Sequence, residues 1–318
     1  MQAVILGGFA PRKPNSTGRV HCMIDLKEKT WEILLERIRE KKCTPFLGAG
    51  ACAGALPLGG ELSRDLADAQ NYPFEDRADL LRVAQFIAVK SDPRRAKSMV
   101  VDRLKKAGPP KFANPPDFTA PDDPHGVLAS LNLPAYLTTN YDDFIFRALR
   151  AAEKDPRREV CRWHSGISQI PSVFETEPAY RPSPANPLVF HLHGYDKEPD
   201  SIVLTEDDYL KFMINLARDR DLLPRFVKDA ISASTLLFIG YRLADWNFRV
   251  LFQMLRPEPQ YISVAVLIPP GPNEPSPEEA QQYLDEYYGA MNLKMFWGTA
   301  HEFSSELRRR WAEFRVRA

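Results

Sequence analysis

The stretch Thr44-Pro-Phe-Leu-Gly-Ala-Gly-Ala-Cys-Ala-Gly54 constrains the chain more than any other. A short apolar run, Pro45 to Leu47, stops abruptly at Gly48-Ala49-Gly50. Small residues then lead to Leu62-Ser-Arg-Asp-Leu66, whose leucines have helical spacing. A buried parallel strand that turns onto a helix start reads this way. Gly48 and Gly50 lack Cβ atoms, so backbone N–H groups there can approach an anionic ligand. Glycines at 48, 50 and 54 match the dinucleotide fingerprint only loosely, because the third falls one position late. On this motif alone, a tight strand-to-loop turn with no ligand stays open.

Three more strand ends downstream carry unusual residues. Ala135 to Thr139 is rich in β-formers and stops at Asn140-Tyr-Asp-Asp143, before helical Phe144 to Leu149; Asp142 or Asp143 can cap that helix. In Leu188 to His193, extended geometry puts Leu188, Phe190 and Leu192 on one face and Val189, His191 and His193 on the other. His191 reads as a core residue, whereas His193, last in the run and against Gly194, is placed for function. Thr235 to Ile239 is a near-continuous apolar run, as buried parallel strands are. It ends at Gly240-Tyr-Arg-Leu-Ala-Asp245, before a helix carrying Phe248, Leu251, Phe252 and Leu255.

Tyr261 to Ile268 is a further strand and Leu293 to Trp297 an edge strand, with helices over Ile24 to Arg39, from Glu206, over Glu278 to Tyr288 and over Glu302 to Phe314. This alternation predicts an α/β fold: a Rossmann-type open, mostly parallel sheet flanked by helices. Residues 1–23 read as a loose arm and 24–318 as one domain. A helical insertion of three helices occupies about 56–131, as a lid over the strand ends, and includes an irregular loop from Pro109 to Pro124 with six prolines. A polar, proline-rich insertion covers about 153–187, anchored by Trp163 and Phe174. Ligands of such sheets bind beyond the carboxyl ends of the strands, so the four corners converge on one crevice.

Composition narrows the function classes. Lys plus Arg equals Asp plus Glu at 42 each, which gives no global attraction to nucleic acid or to an anionic membrane. The cysteines at 22, 43, 52 and 161 stand singly, so neither a four-thiolate zinc site nor a redox dithiol is read from them. The six histidines and scattered acids show no ligand spacing, and the expectation is no metal. No apolar run approaches a membrane span and the start lacks a basic lead, which places the chain in the cytoplasm. Arg308-Arg-Arg310, Arg315 and Arg317 read as a solvated helix face.

Taken in order, Gly-Ala-Gly-Ala-Cys, Thr-Thr-Asn-Tyr-Asp, Leu-His-Gly, Val-Leu-Thr-Glu-Asp-Asp-Tyr and Phe-Ile-Gly-Tyr-x-Leu-x-Asp resemble the SIR2-like family. More narrowly, they resemble the bacterial SIR2-like NAD-hydrolysing effectors of antiphage defence, over about residues 43 to 250. The resemblance implies a Rossmann-type NAD site. It makes Asn140 the residue that positions the nicotinamide ribose and a water, and His193 the general base. The NAD-binding set it implies is Gly48, Ala49, Gly50, Cys52, Thr139, Asp142, Gly194, Gly240, Tyr241 and Asp245. Asp142 holds the Asn140 loop in this reading, and the Gly240-Tyr241 turn lines the adenosine side.

Three departures stand out. The four-cysteine zinc module of protein-deacylating members cannot form here. Cys52 and Arg242 each stand where serine is commoner, and the Pro-Asp-Phe-Arg segment of sirtuins has no match beyond Pro57 and Arg64. The expectation is an NAD glycohydrolase, with NAD as substrate, that releases nicotinamide and ADP-ribose and is held off until activated. The alternatives are an NAD- or ADP-ribose-binding assembly module without turnover, and a zinc-free deacylase or ADP-ribosyl transferase. The resemblance also implies a homo-oligomer and a separate activating partner such as an ATPase/helicase or an Argonaute-like protein, with no membrane and no direct nucleic-acid contact.

Overall fold

The computed structural model describes residues 26–241, 246–255, 260–271 and 274–317. The arm at 1–23, Cys22, Arg242 and Asp245 lie outside the described residues. The strands are β1 (Cys43–Leu47), β2 (Ala135–Thr138), β3 (Arg157–Val160), β4 (Leu188–His191), β5 (Thr235–Ile239), β6 (Ser263–Leu267) and β7 (Leu293–Trp297). They form one sheet in the order β3-β4-β2-β1-β5-β6-β7, and each neighbouring pair is parallel. The helices before β4 are α1 (Glu28–Arg39), α2 (Gly59–Ala69), α3 (Leu80–Lys90), α4 (Pro93–Lys106), α5 (Pro124–Ser130), α6 (Phe144–Ala151) and α7 (Val173–Thr176). After it come α8 (Glu206–Arg218), α9 (Arg225–Ser232), α10 (Trp246–Leu255), α11 (Pro277–Gly289) and α12 (Ala300–Arg317). The fold is an open, Rossmann-like α/β sheet with helices on both faces.

Strand alternation explains the two cores. Phe46, Leu236 and Phe238 face a cluster built with Phe212, Val227, Phe252 and Tyr288 from α8 to α11. Leu47, Leu237 and Ile239 face the opposite cluster, filled by Trp31, Leu34, Leu128, Ile145, Phe303 and Leu307 from α1, α5, α6 and α12. A strand buried on both faces leaves little room for polar positions, which is why β5 is apolar at every position after Thr235. No helix among the described residues is long and apolar enough to cross a membrane.

The insertion after β1 builds a third cluster. Leu62, Leu66, Val83, Ile87 and Val100 of α2, α3 and α4 pack together and against Ile202 and Leu204, which follow β4. Lys97 and Asp208 pin this layer down with a buried ion pair, Nζ to Oδ2 3.2 Å. The same Asp208 oxygen accepts the N–H groups of Leu204 (3.2 Å) and Thr205 (3.3 Å). Gln85 and Asp207 add an amide–carboxylate contact (3.0 Å) at the surface.

Three elements depart from the sequence expectation. The edge strand β3 lies inside the polar, proline-rich insertion of 153–187, where the sequence predicts no strand, because Arg157-Arg-Glu-Val160 looks polar. Its Glu159 is nevertheless buried, accepting from Ser172 Oγ and Val173 N–H (2.8 Å each) and pairing with Arg162 (2.7 Å). The insertion after β1 holds α5 as a fourth helix, started by Pro124 after the proline-rich loop and capped by Asp123 Oδ1 on Gly126 N–H (2.7 Å). Helix α9 fills the gap before β5. By contrast, β7 is an edge strand as expected, and the C-terminal arginines sit on a helix face where Arg309 pairs with Glu306 and Glu313 and Arg310 with Glu28.

Removing the cation of the buried pair leaves Asp208 desolvated and unpaired. Lys97→Ala should lower the unfolding free energy by about 3 kcal/mol, measured by urea denaturation. A loss below about 1 kcal/mol would place the pair with weak surface ion pairs instead.

Candidate active site at the carboxyl ends of the central strands

The register brings the four marked corners level. Leu47 pairs with Thr138 on one side and Ile239 on the other, and Thr138 pairs with His191. Gly48, Thr139, Gly240 and Leu192 therefore leave four adjacent strands at one height, spaced about 4.8 Å apart. From β1 the chain crosses to β2 on one side, and later strands continue beyond β5 on the other. The crevice at such a reversal is where open α/β sheets bind ligands.

The turns after β1 and β5 are packed backbone against backbone. Gly48 N–H donates to Ile239 O (2.8 Å) and Gly50 N–H to Gly240 O (2.9 Å). Gly240 has φ +84°, and a Cβ there would stand 2.2 Å from Ala51 N and 2.6 Å from Gly48 O. The glycines thus serve first to let the two turns touch, with the N–H groups of 48 and 50 used in the seam. Ala49, exposed at the start of the short 3₁₀ turn Ala49–Cys52, is the part of the motif that faces outward. Tyr241 continues the seam: its hydroxyl donates to Leu47 O (3.0 Å) and meets Thr139 Oγ1 (2.9 Å).

Asn140 is held on all sides. Its N–H donates to Thr138 Oγ1 (2.9 Å), and its Nδ2 donates to Gly48 O (3.0 Å) and to Cys52 Sγ (3.3 Å). With Nδ2 so engaged, the amide plane is fixed and Oδ1 is its acceptor end for a ligand. Asp142 Oδ1 accepts Phe144 N–H (2.9 Å) at the start of α6, while Oδ2 accepts the Cys52 thiol (3.2 Å). Asp142 thus both caps the helix and anchors the loop; Asp143 pairs outward with Lys197 (3.4 Å). Burial pushes the Cys52 thiol well up, and the neighbouring Asp142 carboxylate pushes it further in the same direction.

The two histidines separate. His191 ends β4, is fully buried, and its Nδ1 lies 3.3 Å from Asn140 O. His193 stands two residues beyond the strand, in the turn, where strict alternation no longer holds. Its ring lies edge-on to Phe212 (4.9 Å) and Tyr209 (5.9 Å), in the cluster that contains Leu188 and Phe190 rather than on the face of Val189. His193 Nε2 is buried without a hydrogen-bond partner. Burial lowers His193 to about 3, and burial followed by the Arg158 guanidinium lowers His191 to about 3 as well. Both rings are neutral near pH 7. Gly194 has φ +77°, and a Cβ there would meet Ser201 O at 2.2 Å, so the chain can turn here only without a side chain.

The structure therefore brings together Gly48, Gly50, Cys52, Thr139, Asn140, Asp142, Gly240 and Tyr241 by direct contacts, and sets His193 and Gly194 on the adjacent strand end. His125 was not legible beforehand. It follows Pro124 at the start of α5, and its Nε2 reaches 3.8 Å from Cys52 Sγ. Nothing in the spacing of residues 52, 125 and 142 announces that they meet.

Residues 134–290 match the SIR2-like domain model. The chain is 25% identical over 235 residues to the NAD(+) hydrolase ThsA of Cytobacillus dafuensis, covering 72% of this chain and 41% of that protein. It is 26% identical to the NAD(+) hydrolase ThsA of Acinetobacter baumannii, covering 72% and 43%. It is 28% identical over 147 residues to the defense-associated sirtuin 2 of Bacillus subtilis, covering 44% and 13%. The chain thus spans less than half the length of these curated relatives. Residues 134–290 thus carry a SIR2-like domain, in a sheet whose order brings four strand ends together.

Proposed function

We propose that this chain cleaves the nicotinamide–ribose bond of NAD with water, releasing nicotinamide and ADP-ribose, as an effector of bacterial antiphage defence by NAD depletion. The observation that carries the reading is the pairing of a fixed amide with a desolvated imidazole. Asn140 offers Oδ1 from an immobilised side chain, and His193 offers a buried, unpartnered Nε2 on the neighbouring strand end. The names of the relatives support NAD as the substrate.

The chemistry asks little more of the protein. Loss of nicotinamide builds oxocarbenium-like charge at the anomeric carbon, and nicotinamide leaves without acid help. Asn140 Oδ1 is an acceptor for donors, and both ribose hydroxyls and the attacking water are donors; holding them in line is a positioning contribution. His193 is neutral, so it can take the proton the water loses as the C–O bond forms. The exposed Ala49 tip and the Tyr241 turn frame the side of the crevice assigned to the diphosphate and adenosine. Because unrestrained NAD loss would kill the host, we assign the chain to a regulated state, a homo-oligomer switched by a separate sensor protein.

Two outcomes check this. Asn140→Ala and His193→Ala should each lower NAD turnover by about 10²-fold or more, assayed by nicotinamide release with purified protein and, if an activator is required, in phage-challenged cells. Retained turnover in either variant would remove that residue from the chemistry. Intact NAD under both conditions, with NAD still bound, would instead favour a binding module.

The pH dependence has a definite sign. His191 and His193 both sit near 3 in the fold and return to about 6.5 when unfolded. Below about pH 6.5 the unfolded chain binds more protons, so stability falls as pH drops toward 3, by up to about 1.4 kcal/mol per pH unit for each histidine. Above that range they contribute no slope. Denaturation between pH 7 and 4.5 should show this loss, and His191→Gln should flatten part of it. The catalytic histidine stays unprotonated throughout, so kcat/KM should show no limb near 6.5.

A further inference from the structure

We propose that Cys52, His125 and Asp142 form a binding site for one thiophilic divalent ion, with zinc the ion best matched to a thiolate, an imidazole and a carboxylate. Among the described residues, these are the one group of three such side chains whose ligand atoms all lie within 4.8 Å of one another. They come from three elements: the turn after β1, the start of α5 and the loop after β2. That is why isolated cysteines and scattered histidines predict no metal from sequence spacing, while the fold assembles a donor set.

The distances suit the ion. Ligands bound to zinc at about 2.0 to 2.3 Å in tetrahedral geometry lie roughly 3.2 to 3.7 Å apart. Cys52 Sγ stands 3.2 Å from Asp142 Oδ2 and 3.8 Å from His125 Nε2. Small side-chain shifts would close the set, and Asp142 Oδ1 can keep its hold on Phe144 N–H meanwhile.

The surroundings are built for a charged occupant. His125 is 1% exposed and Cys52 4%, and the rings of Phe118 and Phe144 stand edge-on to the imidazole. His125 Nδ1 is buried with no hydrogen-bond partner, and the Asp123 carboxylate lies 3.9 Å from it. With Nε2 on an ion, the Nδ1 proton faces that carboxylate, the arrangement that orients metal-bound histidines. Binding replaces the Cys52 S–H bond with an S–metal bond and releases the proton to solvent. Thiolate and Asp142 carboxylate together then balance the two positive charges of the ion in a place where unpaired charge is costly. Asn140 Nδ2 already donates to Cys52 Sγ, so the ion would sit one contact from the amide at the centre of the crevice.

The test is binding, and it does not depend on NAD turnover. The full chain is stripped with a chelator, equilibrated with zinc sulfate, desalted and submitted to elemental analysis; a parallel sample is titrated with cobalt(II). The expected result is about one zinc per chain and a thiolate-to-cobalt charge-transfer band. Cys52→Ser, which keeps a small polar side chain, should lose the band and most of the zinc. Asp123→Asn should weaken zinc binding about 10- to 100-fold while keeping the band. If Cys52→Ser does not fold, as judged by circular dichroism, His125→Gln takes its place. Absence of zinc and band in the wild type, or their persistence in the Cys52 or His125 variant, would overturn the proposal and leave a hydrogen-bonded thiol.

Discussion

The carbonyl of Gly48 is the point on which the rest of the site depends. It accepts Ala51 N–H (3.0 Å), which closes the short turn after β1, and Asn140 Nδ2 (3.0 Å), which orients the amide after β2. It also lies where a Cβ on Gly240 would have to go, so the turn after β5 can press against it only as glycine. Three neighbouring strand ends are thereby locked through one backbone oxygen. A backbone group cannot drift between rotamers, which makes it a firmer reference than any side chain for placing the Asn140 amide.

A second layer ties the crevice to the helical insertion. Tyr141, the residue after Asn140, donates to Val203 O (2.7 Å), and Val203 N–H in turn donates to His193 O (3.0 Å). The segment 202–204 is packed by α2, α3 and α4 and held by Lys97 through Asp208. The insertion therefore contacts both loops that carry the proposed catalytic residues, from the outside. A shift of α4 would be felt at Asn140 and at His193 together, so a partner that moved this layer would have a direct mechanical route to the site.

Legibility in the sequence followed burial. β5 is apolar at every position after Thr235 because both faces are covered, and Gly-Tyr after it marks its end without ambiguity. His193 stands out by its place against Gly194 at the end of an apolar run, whereas Asn140 is singled out by the resemblance, its quartet also reading as a helix cap; the structure sets the two on adjacent strand ends. β3 was hidden because its buried Glu159 is satisfied by partners from Arg162 and residues 172–173, and a satisfied buried charge looks like a loop residue in the sequence. His193 was assigned the face of His191 by strict alternation, which fails once the chain leaves the ladder. His125 was hidden for another reason: its meaning lies entirely in contacts to residues 73 positions earlier and 17 positions later, and no local pattern encodes those.

Cys52 joins the turn after β1 to the loop after β2 and to the start of α5. At a position where the resemblance leads one to expect serine, a thiol makes two contacts, with Asn140 and with Asp142. Sulfur is larger and a weaker hydrogen-bonding atom than oxygen, so as a positioning group alone the exchange loses something. What it gains is affinity for soft and borderline cations, and only in a setting that supplies an imidazole and a carboxylate beside it. His125 and Asp142 supply both, and Asp123 stands behind the imidazole. The substitution is therefore costly in an ordinary hydrogen-bonded loop and sensible in a site that can hold an ion, which is the physical reason to read the four residues as one unit.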